Sequence, residues 1–101
     1  QHNLVYGYSI ENKEPFKPDY IGETRVRYET RVHEHINSDK ASSIFKHYKG
    51  INSKGNKDNF VIYETGYDRN FDRKIAESLY VKEYKPALNS QTDSLKLKLF
   101  N

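Results

Sequence analysis

The chain has 101 residues, a net charge of +3 and no cysteine. A chain of that length carries one core rather than two, and without thiols it has no disulfide, no cysteine-ligated zinc and no iron–sulfur cluster. No apolar run approaches the roughly 18 residues of a membrane span and the N-terminus does not read as a signal peptide, so an intracellular, membrane-free protein is expected.

The strong aliphatic and Phe residues (Leu, Ile, Val, Phe) number 23, which is thin for a core, but nine Tyr add burial capacity. Residues 4–10 alternate, with Leu4, Tyr6, Tyr8 and Ile10 on one face and Val5, Gly7 and Ser9 on the other. That pattern predicts a strand, with Gly7 marking a close backbone approach or a bend. Residues 11–18 hold Pro15, Pro18 and four charges and read as a hairpin loop, and Asp19 to Gly22 forms a short second strand ending at the glycine. A helix is expected over about residues 25–37, with Val26, Val32 and Ile36 as its apolar points and Asn37-Ser38-Asp39 as its stop. A second, shorter helix is expected over 40–49 with Ile44, Phe45 and Tyr48 on its apolar side, followed by a polar loop over 50–58. Phe60-Val61-Ile62-Tyr63 is a buried strand candidate, and a helix from about Asp68 to Tyr84 carries Ile75, Ala76, Leu79 and Tyr80 at helical spacing before Pro86 ends it. Leu95, Leu97 and Leu99 alternate with Lys96 and Lys98 as an edge-strand candidate. The order β-β-α-α-β-α predicts an α+β domain, a small three-stranded, mainly antiparallel sheet with helices packed on it.

The charge is uneven. Residues 23–57 carry eight Lys or Arg against four acids, whereas residues 58–101 carry seven of each. A positive middle third beside tyrosines suits a phosphate backbone, with Arg25, Arg27, Lys46, Lys54 and Lys57 as candidate contacts; a solvated surface is the other reading.

Tyr8 and Tyr20 fall on adjacent strands, where two phenols can meet over one site. A phenol titrates near pH 10 in water, so it needs a nearby cation to act as a base or to orient water. Arg31 and His35 are four apart on the expected helix and share a face. Arginine offers a forked donor to phosphate, and imidazole can bond a phenol or shuttle a proton. His33 is two residues from His35 and points elsewhere, which makes the pair a poor metal site and argues against zinc. Glu77 lies in a semi-apolar stretch and needs a partner, water or a cation; a lone carboxylate suits Mg²⁺, which keeps most of its waters. Asn89 follows the Lys85-Pro86 break and returns the chain toward the same place.

Taken jointly, Tyr6-Gly7-Tyr8-Ser9-Ile10, Tyr20-Ile21-Gly22, Arg31 with His35, Glu77 and Asn89 resemble the GIY-YIG endonuclease family over about residues 4–90, with 91–101 as a tail. Tyr20-Ile21-Gly22 is the complete second signature. Tyr6-Gly7-Tyr8 stands where the family has Gly-Ile-Tyr, and on this alignment Tyr8 is the retained tyrosine. Within the family the chain looks most like the endonuclease domain of Penelope-like retroelements, through Ser43 to His47, Arg73 to Glu77 and Leu95 to Phe100, although the cysteine pair often found in such domains is absent.

The resemblance implies a DNA endonuclease that nicks one strand using one divalent ion, Mg²⁺ or Mn²⁺, and an in-line water. It implies that Glu77 holds the metal and Arg31 binds phosphate. Tyr8 or Tyr20 would act on the water with help from His35, and Asn89 would fix the site by hydrogen bonds. A retroelement of a eukaryote would place it in the nucleus, and a fused or partner domain would supply target choice. The rivals are a nucleic-acid-binding module that has lost cleavage, and a repair, homing or restriction nuclease on the same fold.

Overall fold

The computed structural model of the chain describes residues 2–11, 13–67 and 69–89. The alternating run becomes β1 (Leu4–Tyr8), which lies between β2 (Tyr20–Thr24) and β3 (Phe60–Glu64) in a sheet of order β2-β1-β3. Both pairings are antiparallel. α1 (Tyr28–His33) runs directly into a π-helical segment (Glu34–Ser38), α2 (Ser43–Gly50) follows, and α3 (Asn70–Tyr84) comes after β3. The domain is α+β with the expected element order. Among the described residues no helix is long and apolar enough to cross a membrane.

Every residue of β1 is buried, because helices cover both faces of the sheet. Leu4, Tyr6 and Tyr8 pack with Val32 of α1, Ile44 and Tyr48 of α2, and Phe60. On the opposite face Val5 and Ile21 pack with Val81 of α3. The pairing of β1 with β3 slips between Val5 and Tyr6, whose partners are Glu64 and Ile62. The residue skipped is Tyr63, and a Cβ on Gly7 would lie 2.5 Å from its ring. Of the two readings of Gly7, a close approach or a bend, the contact with Tyr63 is the close approach.

Four boundaries or faces differ from expectation. β2 continues through Gly22 to Thr24, since Gly22 pairs with Tyr6 and leaves the space that the Tyr6 ring crosses. α1 begins at Tyr28, so Arg25, Val26 and Arg27 precede it, and Val26 is exposed. α2 begins at Ser43, where the Ser42 side chain caps it. α3 turns Leu79 to solvent, 63 % exposed, and buries Arg73, Glu77, Ser78 and Val81 against the sheet. Within that stripe Arg73 Nε donates to Glu23 of β2 at 2.5 Å and Nη1 donates to Asn3 at 2.8 Å, while Ser78 Oγ donates to the Lys74 carbonyl at 3.0 Å. α3 stops at Lys85, left-handed with φ 50°, whose N–H bonds the Val81 carbonyl just before Pro86. The expected strand over residues 95–99 lies outside the described residues.

Candidate functional site

The site grows from the middle of β1. Tyr6 points to the face covered by α1 and α2, and its ring passes over Gly22 of the neighbouring strand; a Cβ there would sit 2.5 Å from the phenol oxygen. The phenol meets His35 Nε2 at 2.6 Å. His35 sits in the π-helical segment, a rare backbone form that is frequent at functional sites. Its other nitrogen, Nδ1, lies 2.5 Å from Ser42 Oγ. The ring is 1 % exposed and stacks near Phe60, with centroids 6.0 Å apart. Burial, reinforced by the Arg31 charge and opposed by Asp39, lowers the imidazole pKa to about 3. His35 is therefore a neutral ring at ordinary pH. Burial also pushes the Tyr6 phenol well above its usual value; Tyr20 and Glu77 add to this while Arg31 opposes it.

Arg31, one turn before His35, donates through Nη1 to Glu34 at 2.9 Å and to Asp39 at 3.1 Å. Burial alone lowers its pKa, but Tyr6, Glu34 and Asp39 outweigh burial, so the guanidinium stays charged. The two carboxylates aim the group and offset part of its charge, while the same guanidinium acts on the Tyr6 phenol. Tyr20 is half-buried, and its ring meets His35 edge-on at 6.0 Å.

Tyr8 goes elsewhere. It is the Cα partner of Tyr20 across the strands, but its phenol bonds His47 Nδ1 at 3.0 Å, and its ring packs against Tyr48 and Phe60. The tyrosine that joins Arg31, His35 and Tyr20 is Tyr6. Both residues point to one face of β1, but α1 and the π-helical segment cover the centre of the strand whereas α2 covers its end. His47 is thereby a packing partner of Tyr8.

Glu77 is 2 % exposed, so it is not the solvated helix residue that a glutamate usually is. It lies one turn before Val81 on the sheet-facing side of α3, and its charge acts on Tyr6. Among the described residues no three or more His, Asp or Glu gather into a metal cluster. A cation at this place would take one protein carboxylate and otherwise waters and substrate oxygens, a donor set that fits Mg²⁺ or Mn²⁺. Asn89 is fully buried and binds the outer edge of β2: Ile21 N–H donates to Oδ1, and Nδ2 donates to the Ile21 carbonyl, both at 2.7 Å.

The basic candidates Arg25, Arg27, Lys46, Lys54 and Lys57 are all exposed. Arg27 Nε lies 3.6 Å from the Glu29 carboxylate. Lys54 and Lys57 line two separate hollows that share Ile36 and Asn37 as a wall, so they flank the same π-helical segment that carries His35.

Reading the sequence missed Tyr6 and Ser42. The alternation Leu4, Tyr6, Tyr8 places both tyrosines on the right face and cannot rank them. Ser42 carried an N-cap signal, a serine before an apolar-periodic run, but nothing local tied it to His35. No model of a known protein family matches the chain, and neither does any curated protein sequence or solved structure.

Proposed function

We propose that the chain is a metal-dependent endonuclease that hydrolyses DNA phosphodiester bonds, built on the GIY-YIG pattern, with Tyr6 rather than Tyr8 as its first working phenol. The observation that carries this reading is the convergence on Tyr6: a 2.6 Å bond from His35, with Arg31, Tyr20 and Glu77 all acting on the same phenol. Phosphodiester hydrolysis needs a positioned water and compensation for charge that grows on phosphorus-bound oxygens. Tyr6 orients the water through its hydroxyl. Its raised pKa argues against a standing phenolate, so the neutral phenol works by hydrogen bonding. Arg31 binds the phosphate and offsets its growing charge. Glu77 holds the divalent ion, which when bound neutralises phosphate charge and stabilises the departing oxygen. Asn89 keeps β2, and with it Tyr20, in place. Exposed Lys54 and Lys57 supply backbone contacts without base readout.

A binding module without cleavage is favoured by one feature, the engagement of Arg31 with two carboxylates. Incubating supercoiled plasmid with the protein and Mg²⁺ or Mn²⁺, with and without chelator, separates the two. Metal-dependent nicking supports the nuclease; binding that weakens with salt but never nicks supports the module.

A further inference from the structure

Ser42 does two things at once, and its hydrogen bonds admit one arrangement of protons. It is the N-cap of α2, and Oγ accepts the backbone N–H of Ile44 at 3.1 Å and of Phe45 at 3.3 Å. A hydroxyl has two lone pairs and one proton. With both lone pairs engaged, the 2.5 Å contact to His35 Nδ1 has Oγ as the donor. Nδ1 then accepts and carries no hydrogen. The proton of the neutral ring lies on Nε2, 2.6 Å from the Tyr6 oxygen. The other tautomer would aim three donors at one hydroxyl oxygen and leave the Ser42 proton without this acceptor.

We propose that Ser42 is a positioning residue for Tyr6: it fixes His35 as the Nε2–H tautomer, which donates to the phenol oxygen and leaves the phenolic proton for a water or a phosphate oxygen. The consequence for chemistry rests on the nuclease reading above; the tautomer does not. In the reverse tautomer Tyr6 would donate into the imidazole and could meet substrate only as an acceptor. The cap residue of the next helix, buried against His35, thereby sets the polarity of the phenol.

Asparagine and aspartate separate this role from capping. They are nearly isosteric, and both are strong N-caps. The amide of Ser42→Asn can cap through its oxygen and still donate to Nδ1, whereas the carboxylate of Ser42→Asp only accepts. Ring-¹⁵N NMR at about pH 9, where an ordinary imidazole is neutral, reads the tautomer, with the His35→Gln spectrum assigning the signal. The native protein and Ser42→Asn should show Nε2–H, and Ser42→Asp should show Nδ1–H. Nδ1–H in the native protein overturns the proposal, and so does Nε2–H in a folded Ser42→Asp. Should Ser42→Asp not fold, the native spectrum and Ser42→Asn still decide the tautomer. In plasmid nicking, at equal folded fraction by thermal unfolding, Ser42→Asn should stay within about threefold of native and Ser42→Asp should fall at least about tenfold, general acid–base positioning being worth 10²–10⁴ in full. Equal nicking by two variants of opposite tautomer overturns the positioning role. If the native protein nicks nothing, the nuclease reading fails while the spectra still decide the tautomer.

Discussion

Asn89 completes β2 as a missing strand would, accepting from the Ile21 N–H and donating to the Ile21 carbonyl at 2.7 Å each. β2 is an edge of the sheet, and Ile21 is fully buried, so those two backbone groups need a partner other than water. The Leu88 N–H bonds the Asp19 carbonyl at 3.0 Å, so the segment after Pro86 is laid along the same edge. A helix on one face of the sheet is thus tied by its own C-terminal extension to the strand that carries Tyr20.

Replacing this amide tests the tie. Asn89→Ala leaves a buried donor and a buried acceptor unpaired, which should cost about 2–6 kcal/mol at 1–3 kcal/mol per group. Denaturant unfolding reads the loss. Hydrogen exchange at the Ile21 amide should accelerate beyond that of the Tyr6 amide, which sits in the middle strand; uniform acceleration would mean that Asn89 stabilises the whole domain and not this edge.

The two tyrosines of β1 should separate cleanly. Tyr6→Phe removes the hydroxyl that meets His35 and should lower plasmid nicking by at least about a hundredfold, the usual size of a lost acid–base or water-orienting group. Tyr8→Phe removes the bond to His47 and should cost about 1 kcal/mol of stability while nicking persists. The reverse pattern in paired nicking and unfolding assays would return the role to Tyr8.

Glu77→Gln keeps the side chain's volume and loses its charge. If Glu77 holds the cation, nicking should fall at least about a hundredfold, since a metal supplies several kcal/mol of transition-state charge stabilisation. DNA affinity measured in chelator should stay within about threefold, because it comes from Arg and Lys. Native nicking by Glu77→Gln would remove the carboxylate from the mechanism.

His35 gives the fold a pH dependence of known sign. Burial, with Arg31 adding, depresses its pKa from 6.5 to about 3. The unfolded chain therefore binds one more proton than the folded one between those values. The stability tied to the neutral ring is fully present above about pH 6.5 and is lost as pH falls toward 3, at up to about 1.4 kcal/mol per pH unit. Urea unfolding of the native protein and of His35→Gln across this window should show the native slope steeper by up to that amount. Parallel slopes would mean that His35 titrates normally in the folded protein.

The element order and the small antiparallel sheet could be read from the residues because they follow from local rules. Period-2 alternation over Leu4 to Ile10 makes a strand whatever lies beside it, and Pro86 lacks the N–H that would continue α3. Arg31 and His35 were legible as a pair because four residues bring side chains to one side of a helix. The rest was decided by contacts between elements far apart in sequence. Tyr6 and Tyr8 share a face, and only the packing of α1 and the π-helical segment on the middle of β1, with α2 at its end, assigns one to His35 and the other to His47. α3 shows apolar spacing through Leu79 and Tyr80, yet it buries Arg73 and Glu77, because Glu23 on β2 waits for the guanidinium and no local pattern encodes an ion pair fifty residues apart. Ser42 falls inside the helix expected over 40–49; it becomes the N-cap of α2 and the partner of His35 because the chain turns back between Asp39 and Ser42. Local backbone preferences fixed the elements; which polar side chains meet, and in what protonation state, was set by the faces those elements bury against one another.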